Sequence, residues 1–351
     1  MRRVMKLAPA LLAGVLVMSA CGGDDDDGAP AGGTSSAPAA SDLKVGLAYD
    51  IGGRGDQSFN DAAARGLDKA KTDFGIAEEN VNELEASLSE TEAQKEERLR
   101  QLAEAGYNPI IAVGFVYSAP LAKVAAEFPE VNFAIIDDAG AKGANIANLT
   151  FAEHEGSYLV GVAAALKSEA NHVGFVGGVQ VPLIKKFEAG FTAGAKAVKP
   201  DIEVEVTYLT QPPDFSGFND AAKGKTAAAG MFDNGADVVY HAAGGSGGGV
   251  FTAAQEAGKM AIGVDSDQYN TADPAVRDVI ITSMLKKVDT AVYDFIESVN
   301  GGQFQSGEQV FDLKADGVGY STSGGKIDDI VPQIEEYKAK IISGEITVPS
   351  S

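Results

Sequence analysis

Residues 44–67 read KVGLAYDIGGRGDQSFNDAAARGL. The apolar run from Leu43 to Tyr49 has the length and composition of a buried strand, and Asp50 closes it. Gly52, Gly53 and Gly55 then punctuate the chain. Ser58-Phe59-Asn60 open a stretch whose apolar residues recur with helical spacing from Asp61 to Asp73. A strand, a glycine-rich turn and a helix in immediate succession begin a βαβ unit.

The same unit recurs outward from this stretch. Further strand candidates are Pro109–Gly114, Val131–Ile136, His172–Gly177, Glu203–Tyr208, Asp237–His241, Met260–Val264 and Val279–Ser283. Amphipathic patterns fall between them, at Glu92–Ala105, Ala119–Phe128, Leu183–Val198, Ala221–Asn234 and Val250–Ala257. Apolar strands joined by helical connections imply parallel sheets covered on both faces, an α/β architecture. The strands form two series with a break near Ala139–Phe151. The roughly 310 residues beyond the N-terminal region exceed the usual size of one core, so two lobes are expected.

In open parallel sheets, ligands bind beyond the carboxyl ends of the strands. The residues found there are Asp50, the pair Asp137 and Asp138, the glycines from Gly244 to Gly249, Asp265 and Lys286. Three acidic ends and one basic end converge if the lobes face each other.

The N-terminus is of another kind. Arg2, Arg3 and Lys6 precede an apolar stretch from Leu7 to Val17, and Met18-Ser19-Ala20-Cys21 follows. A membrane-spanning helix needs about 20 apolar residues, which this stretch lacks, so residues 1–20 are expected to be a signal peptide. The motif ending in Cys21, the single cysteine of the chain, resembles a lipobox. Cys21 is therefore the expected acylation site, holding the protein to the outer side of the cytoplasmic membrane. Residues 22–41 read GGDDDDGAPAGGTSSAPAAS, without apolar periodicity, so 21–42 is expected to be a flexible linker.

The net charge is −22, and loss of the three leader cations would make it −25. Such a surface repels nucleic-acid phosphates and anionic lipid. With Cys21 the sole cysteine, disulfides, thiolate catalysis and cysteine-zinc sites are excluded. Gly244-Gly245-Ser246-Gly247-Gly248 satisfies G-x-S-x-G between a strand and a helix, the setting of a nucleophilic serine. That chemistry wants a histidine after the serine, and His154, His172 and His241 all precede it. No phosphate-loop pattern occurs at the glycine clusters, and Asp265-Ser266-Asp267 lacks the glycine and distal glutamate of a calcium loop. No enzyme activity, cofactor or metal is expected.

The stretch 44–67 resembles the opening of the basic membrane protein family, lipoproteins that include purine nucleoside receptors of ATP-binding-cassette importers. The resemblance continues through NFAIID, through VGFVGGVQVPLIKKFEAGFTAG at Val173–Gly194, and through FNDAAKGKTAA. It runs on through AAGGSGGGVFTAAQEAGKMAIGVDSDQ and ITSMLKKVDTAVYDFI, covering most of 44–297. It implies a type I periplasmic-binding-protein fold, with two Rossmann-like lobes joined by a hinge and closing on a purine nucleoside. The first lobe is expected to take 43–150 plus 267–305, and the second 151–266 plus 306–351. Carried over residue by residue, Phe59 and Phe218 would sandwich the base, Asn60 and Asp137 would hydrogen-bond to its edge, and Asp50 would stand among the ligand-binding residues. Asp265, Gly247, Gly249 and Lys286 would serve the ribose. Phe215 competes with Phe218, Asp138 with Asp137, and Lys287 with Lys286. The implied partners are ABC permease and ATPase subunits. The alternatives are a sensing or surface-interaction lipoprotein of the same fold, or a site for another sugar-like solute.

Overall fold

The structure, a computed structural model, describes residues 41–87 and 89–351. The expected signal peptide, the linker up to Ala40 and Cys21 lie outside the described residues. In chain order the first elements are β1 (Val45–Ala48), α1 (Phe59–Phe74), β2 (Val81–Leu84), α2 (Glu92–Glu104), β3 (Ile110–Ala112), α3 (Ser118–Glu127), β4 (Phe133–Ile136) and β5 (Ile146–Phe151). The middle holds α4 (Glu153–Lys167), β6 (His172–Val179), α5 (Pro182–Val198), β7 (Glu203–Thr210), α6 (Ala221–Asp233), β8 (Val238–Ala242), α7 (Gly247–Ala257) and β9 (Met260–Asp265). Last come α8 (Gln268–Thr271), β10 (Ile280–Lys286), α9 (Val288–Asn300), β11 (Gly307–Phe311), β12 (Val318–Tyr320) and α10 (Val331–Ile342).

Two six-stranded sheets result, in the orders β11-β5-β4-β3-β1-β2 and β12-β10-β9-β8-β6-β7. Every pairing is parallel except that of β12 with β10. The expected α/β class with two parallel-dominated sheets is what the chain adopts. Central strands such as β1, β3, β4 and β8 are buried along their whole length, as strands covered on both faces must be. One core cluster, holding Leu47, Ile136, Phe175 and Val264, is continuous from lobe to lobe. Separate clusters fill the outer layers, one under α2 and α3 and one under α6 and α7.

Helix α4 is apolar around nearly its whole circumference (YLVGVAAAL) because it lies between sheet two and α5. A Cβ at Gly161, Gly190 or Gly194 would run into carbonyls of the facing helix, so the two backbones touch only because these three residues lack a side chain.

The eight strands expected from the sequence form, but four others appear: β2, β5, β11 and β12. The segment expected to be a break, Ala139–Phe151, contains β5. Its interior polar residue Asn148 is accommodated by donating to the carbonyls of Asp138 (3.1 Å) and Ala141 (2.9 Å). The lobe boundaries also differ from expectation. Strand β10 pairs with β9, so residues up to Lys286 stay in the second lobe and only α9, packed on α1, returns to the first. Strand β11 then pairs with β5 in the first sheet, whereas β12 pairs with β10. The chain therefore crosses at Ala152, at Lys287 and just after Phe311. The crossings are tied together: Ala152 N donates to Phe311 O (3.0 Å), Leu313 N to the Glu155 carboxylate (2.9 Å), and Lys287 N to Gly317 O (2.9 Å).

Candidate functional site

The loop after β1 is shaped by its own side chains. Gly52, Gly53 and Gly55 sit at positive φ, which lets the chain double back before α1. Buried Asp56 accepts from the backbone N–H of Ser58 (2.9 Å), Asn60 (2.8 Å) and Asp61 (3.1 Å), capping the helix N-terminus. Arg54 is held by Asp68 and Glu83. Asn60 is 1% exposed, and its amide is largely committed to this loop. It accepts from Asp50 N (3.1 Å) and donates to Asp56 (3.0 Å) and Ile51 O (3.3 Å), so it holds Asp50 in place. Ser58, at the position before α1, makes no cap bond. Its hydroxyl instead crosses to the other lobe and donates to Asp265 (2.6 Å).

Asp137 follows β4 and Asp265 ends β9, both at positive φ (65° and 61°). Lys286, at the end of β10, is 1% exposed at its side chain and donates to Asp137 at 2.5 Å across the lobe boundary. The fully buried Glu153 lies on its other side at 3.5 Å. The rings of Phe59, Phe151 and Phe187 face the same ammonium at 5.0, 5.1 and 5.6 Å. Burial alone would push Lys286 down, but Asp137, Glu153 and Asp265 together hold it above its usual value. Burial pushes Asp50 and Asp137 up to about 7 each, with Lys286 opposing the shift at Asp137. Burial raises Asp265 as well, against the pull of Lys286 and the Ser58 bond. Asp137 keeps one buried oxygen, Oδ1, with no hydrogen-bond partner.

Most of these residues line a cleft between the lobes. Asp50, Phe59, Asn60, Asp137, Phe218, Asp265 and Lys286 all line it. The open alternatives divide cleanly. Phe218 lines the cleft, whereas Phe215 packs against Phe115 beside a neighbouring hollow. Asp138 is spent on a turn, accepting from Ser118 (2.9 Å), Gly140 N (2.9 Å) and Ala141 N (2.7 Å). Lys287 pairs with Asp316.

Gly247 and Gly249 do not line the cleft. A Cβ at Gly247 would strike the His241 ring and one at Gly249 the backbone of α6, so both are packing glycines in the first turn of α7. Gly244 is the member of the cluster that reaches the cleft wall. Ser246 is fully buried, donating to Gly217 O and accepting from Asp220 N, both at 2.7 Å. Its hydroxyl braces two loops. The residues missed from the sequence are Glu153, Phe187, Phe115, Gly114 and Asp56. Glu153 carried one signal, a carboxylate at the start of a helix whose middle turns are apolar.

A site with Asp50, Asp137 and Asp265 against one ammonium repels anions and suits a neutral ligand rich in N–H and O–H groups. A family model described as ABC transporter substrate-binding protein, PnrA-like (Bmp), matches residues 43–351. The chain belongs to the Bmp family of ABC-transporter substrate-binding proteins. It is 35% identical to the ABC transporter nucleoside-binding protein BmpA of Lactococcus lactis, covering 99% of each chain. It is 36% identical to the CD4+ T-cell-stimulating antigen of Listeria innocua over 97% of this chain and 96% of that one. Among solved structures, an ABC transporter solute-binding protein of Aeropyrum pernix superposes with a TM-score of 0.75 at 32% identity, covering 88% of this chain and 94% of that one. Bmp-family membership makes this a binding protein by class, with a transporter as its partner.

Proposed function

We propose that the protein captures purine nucleosides between its lobes and delivers them to an ABC permease and its ATPase, while anchored outside the cytoplasmic membrane through acylated Cys21. The observation that carries the ligand reading is the cleft itself. Phe59 and Phe218 reach it from opposite lobes, and Asp137 offers it a buried, unpartnered oxygen beside Lys286. A flat base fits aromatic walls, and the ring N–H and ribose hydroxyls fit the carboxylates. Asp50, held by Asn60, supplies the base edge, while Asp265 and Lys286 supply the ribose side. Similarity to a nucleoside-binding relative supports the same ligand class. The lipobox-like motif supports the anchor, and among the described residues no helix is long and apolar enough to cross a membrane.

Mass spectrometry of small molecules that copurify with the protein, followed by calorimetry with inosine, hypoxanthine and inosine monophosphate, tests this reading. The nucleoside should bind tightly, the base more weakly, and the nucleotide poorly, because three carboxylates face its phosphate. Tight nucleotide binding, or a sugar as the sole copurifying molecule, would overturn it. The anchor has its own test. Cys21→Ser should release the protein from membranes or leave the precursor uncut, and a processed protein that still partitions with detergent refutes acylation at Cys21.

A further inference from the structure

Lys286 is placed at a crossing between lobes, and its two closest carboxylates lie on opposite sides of that crossing. Asp137 belongs to the first sheet, through β4. Glu153 begins α4, which packs on β10, β12 and α5 in the second lobe. Any separation of the lobes carries Asp137 away from Lys286 and leaves Glu153 beside it. Phe59 and Phe151 belong to the first lobe and leave with Asp137, whereas Phe187 and Asp265 stay in the second, so Glu153 is the near carboxylate left to hold an ammonium that loses its closest counter-charge.

We propose that Glu153 is a positioning residue: from the hinge it retains the Lys286 ammonium in the second lobe, keeps it charged, and aims it at Asp137 and the ligand. Three observations support this. Glu153 is 0% exposed, so its carboxylate cannot turn to solvent. It also accepts from Lys186 of α5 at 3.2 Å, a cation whose side chain is one-third exposed and which balances the extra charge. The N-terminus of α4 adds a favourable field for a carboxylate at that position. Closure then exchanges partners locally: Lys286 tightens onto Asp137 at 2.5 Å while Glu153 stands off at 3.5 Å.

The groups facing Lys286 are few. They are Asp137 after β4, Glu153 on α4 and Asp265 on β9, with Lys186 reaching it only through Glu153. Tyr240 of β8 is kept neutral by burial, and burial likewise pushes the His154 imidazole down. Removing Glu153 therefore weakens the hold on the Lys286 proton and relieves Asp137 of one repelling neighbour. Both limbs of a binding profile should move toward lower pH.

The affinity consequence rests on the nucleoside reading, but the pairing of Glu153 with Lys286 does not, so two measurements separate them. The first is adenosine calorimetry from pH 5.5 to 11 on the full chain. Glu153→Gln should lower affinity about tenfold at pH 7 and bring the alkaline fall forward by about one pH unit or more, with Glu153→Asp restoring the limb. A loss of equal size at every pH would overturn the proposal. The second is a ligand-free denaturation cycle at pH 8. Glu153→Gln should destabilise the parent more than the Lys286→Met background, where Lys186 is the cation left beside the carboxylate. Equal effects in both backgrounds would refute the pairing even if adenosine proves not to bind. If Glu153→Gln does not fold, Glu153→Asp, which draws the carboxylate back from Lys286, carries the cycle with a smaller difference in the same direction.

Discussion

Asp137 and Asp265 occupy matching places in the two lobes. Each terminates the fourth strand from the far edge of its sheet, β4 in one and β9 in the other, and each has left-handed backbone. Aspartate tolerates that conformation better than most residues, and strain of this kind persists where the surroundings over-determine it. The carboxylates nevertheless do different things. Asp265 gives an oxygen to Ser58 of the opposite lobe, so part of its capacity is used in joining the lobes. Asp137 binds Lys286 and keeps Oδ1 free. One strand further along, the lobes diverge fully: the first sheet leads into Glu153 after β5, and the second ends β10 with Lys286, and these two meet. Duplicated backbone frames thus place groups with the same approach direction, while side-chain identity divides closing, holding and ligand-facing tasks between them.

The largest effect should come from removing the shared cation. Lys286→Met takes the shared cation from Asp137, Glu153 and Asp265, leaving Glu153 with Lys186 alone, and breaking a buried pair in this way costs about 3–5 kcal/mol. Nucleoside binding should fall by more than roughly 100-fold. Carboxyls whose folded pKa is raised destabilise the fold progressively as pH climbs from the unfolded value toward the folded one. The variant should therefore lose more stability at pH 8 than at pH 5, as read by urea denaturation. A loss that is the same at both would show that the ammonium is not their common counter-charge.

Asp265→Ala sharpens the contrast between the two aspartates. Leaving a buried hydrogen-bonding group unmatched costs about 1–3 kcal/mol, or roughly 5- to 150-fold in affinity. The nucleoside should suffer more than the free base, because the proposed partner of Asp265 is the ribose. Calorimetry showing equal losses for both would remove Asp265 from that side of the ligand.

The smallest effect concerns Asp50, which has no counterpart in the second lobe, where exposed Gln180 follows β6. Burial holds Asp50 near 7, so the ligand-free fold binds a proton between about pH 4 and 7 that the unfolded chain has released. Stability should accordingly decline as pH rises through that window and level off above it. Asp50→Asn should reduce this decline and raise the melting temperature at pH 8. A melting curve whose pH slope is unaltered by the substitution would place the titrating proton elsewhere.

How much of this was legible beforehand depended on where the information lay. Strands buried on both faces announced themselves as apolar runs, and their acidic and basic ends marked the cleft because parallel sheets present those ends to ligands. Strands β2 (VNEL) and β11 (GEQVF) are edge elements with polar residues and only partial burial, so periodicity gave no signal. Gly247 and Gly249 were attributed to the ligand because a glycine-rich turn after a strand has two physical causes, and only the positions of His241 and α6 distinguish them.

Local patterning by itself determined the α/β class, the two-lobed plan and the charged strand ends at the cleft, because hydrophobic periodicity and strand-end position are properties of short segments. Phe59, Asn60 and Phe218 came from the family resemblance. Only the tertiary structure decided which lobe β10 and β11 join, since strand partners are chosen by pairing across long separations in sequence. It alone chose Phe218 over Phe215, Asp137 over Asp138 and Lys286 over Lys287, because neighbouring residues at a strand end or in a loop point in different directions. It also introduced Glu153, whose importance comes from standing at 3.5 Å from a lysine 133 positions away, a proximity created when the hinge strands come together.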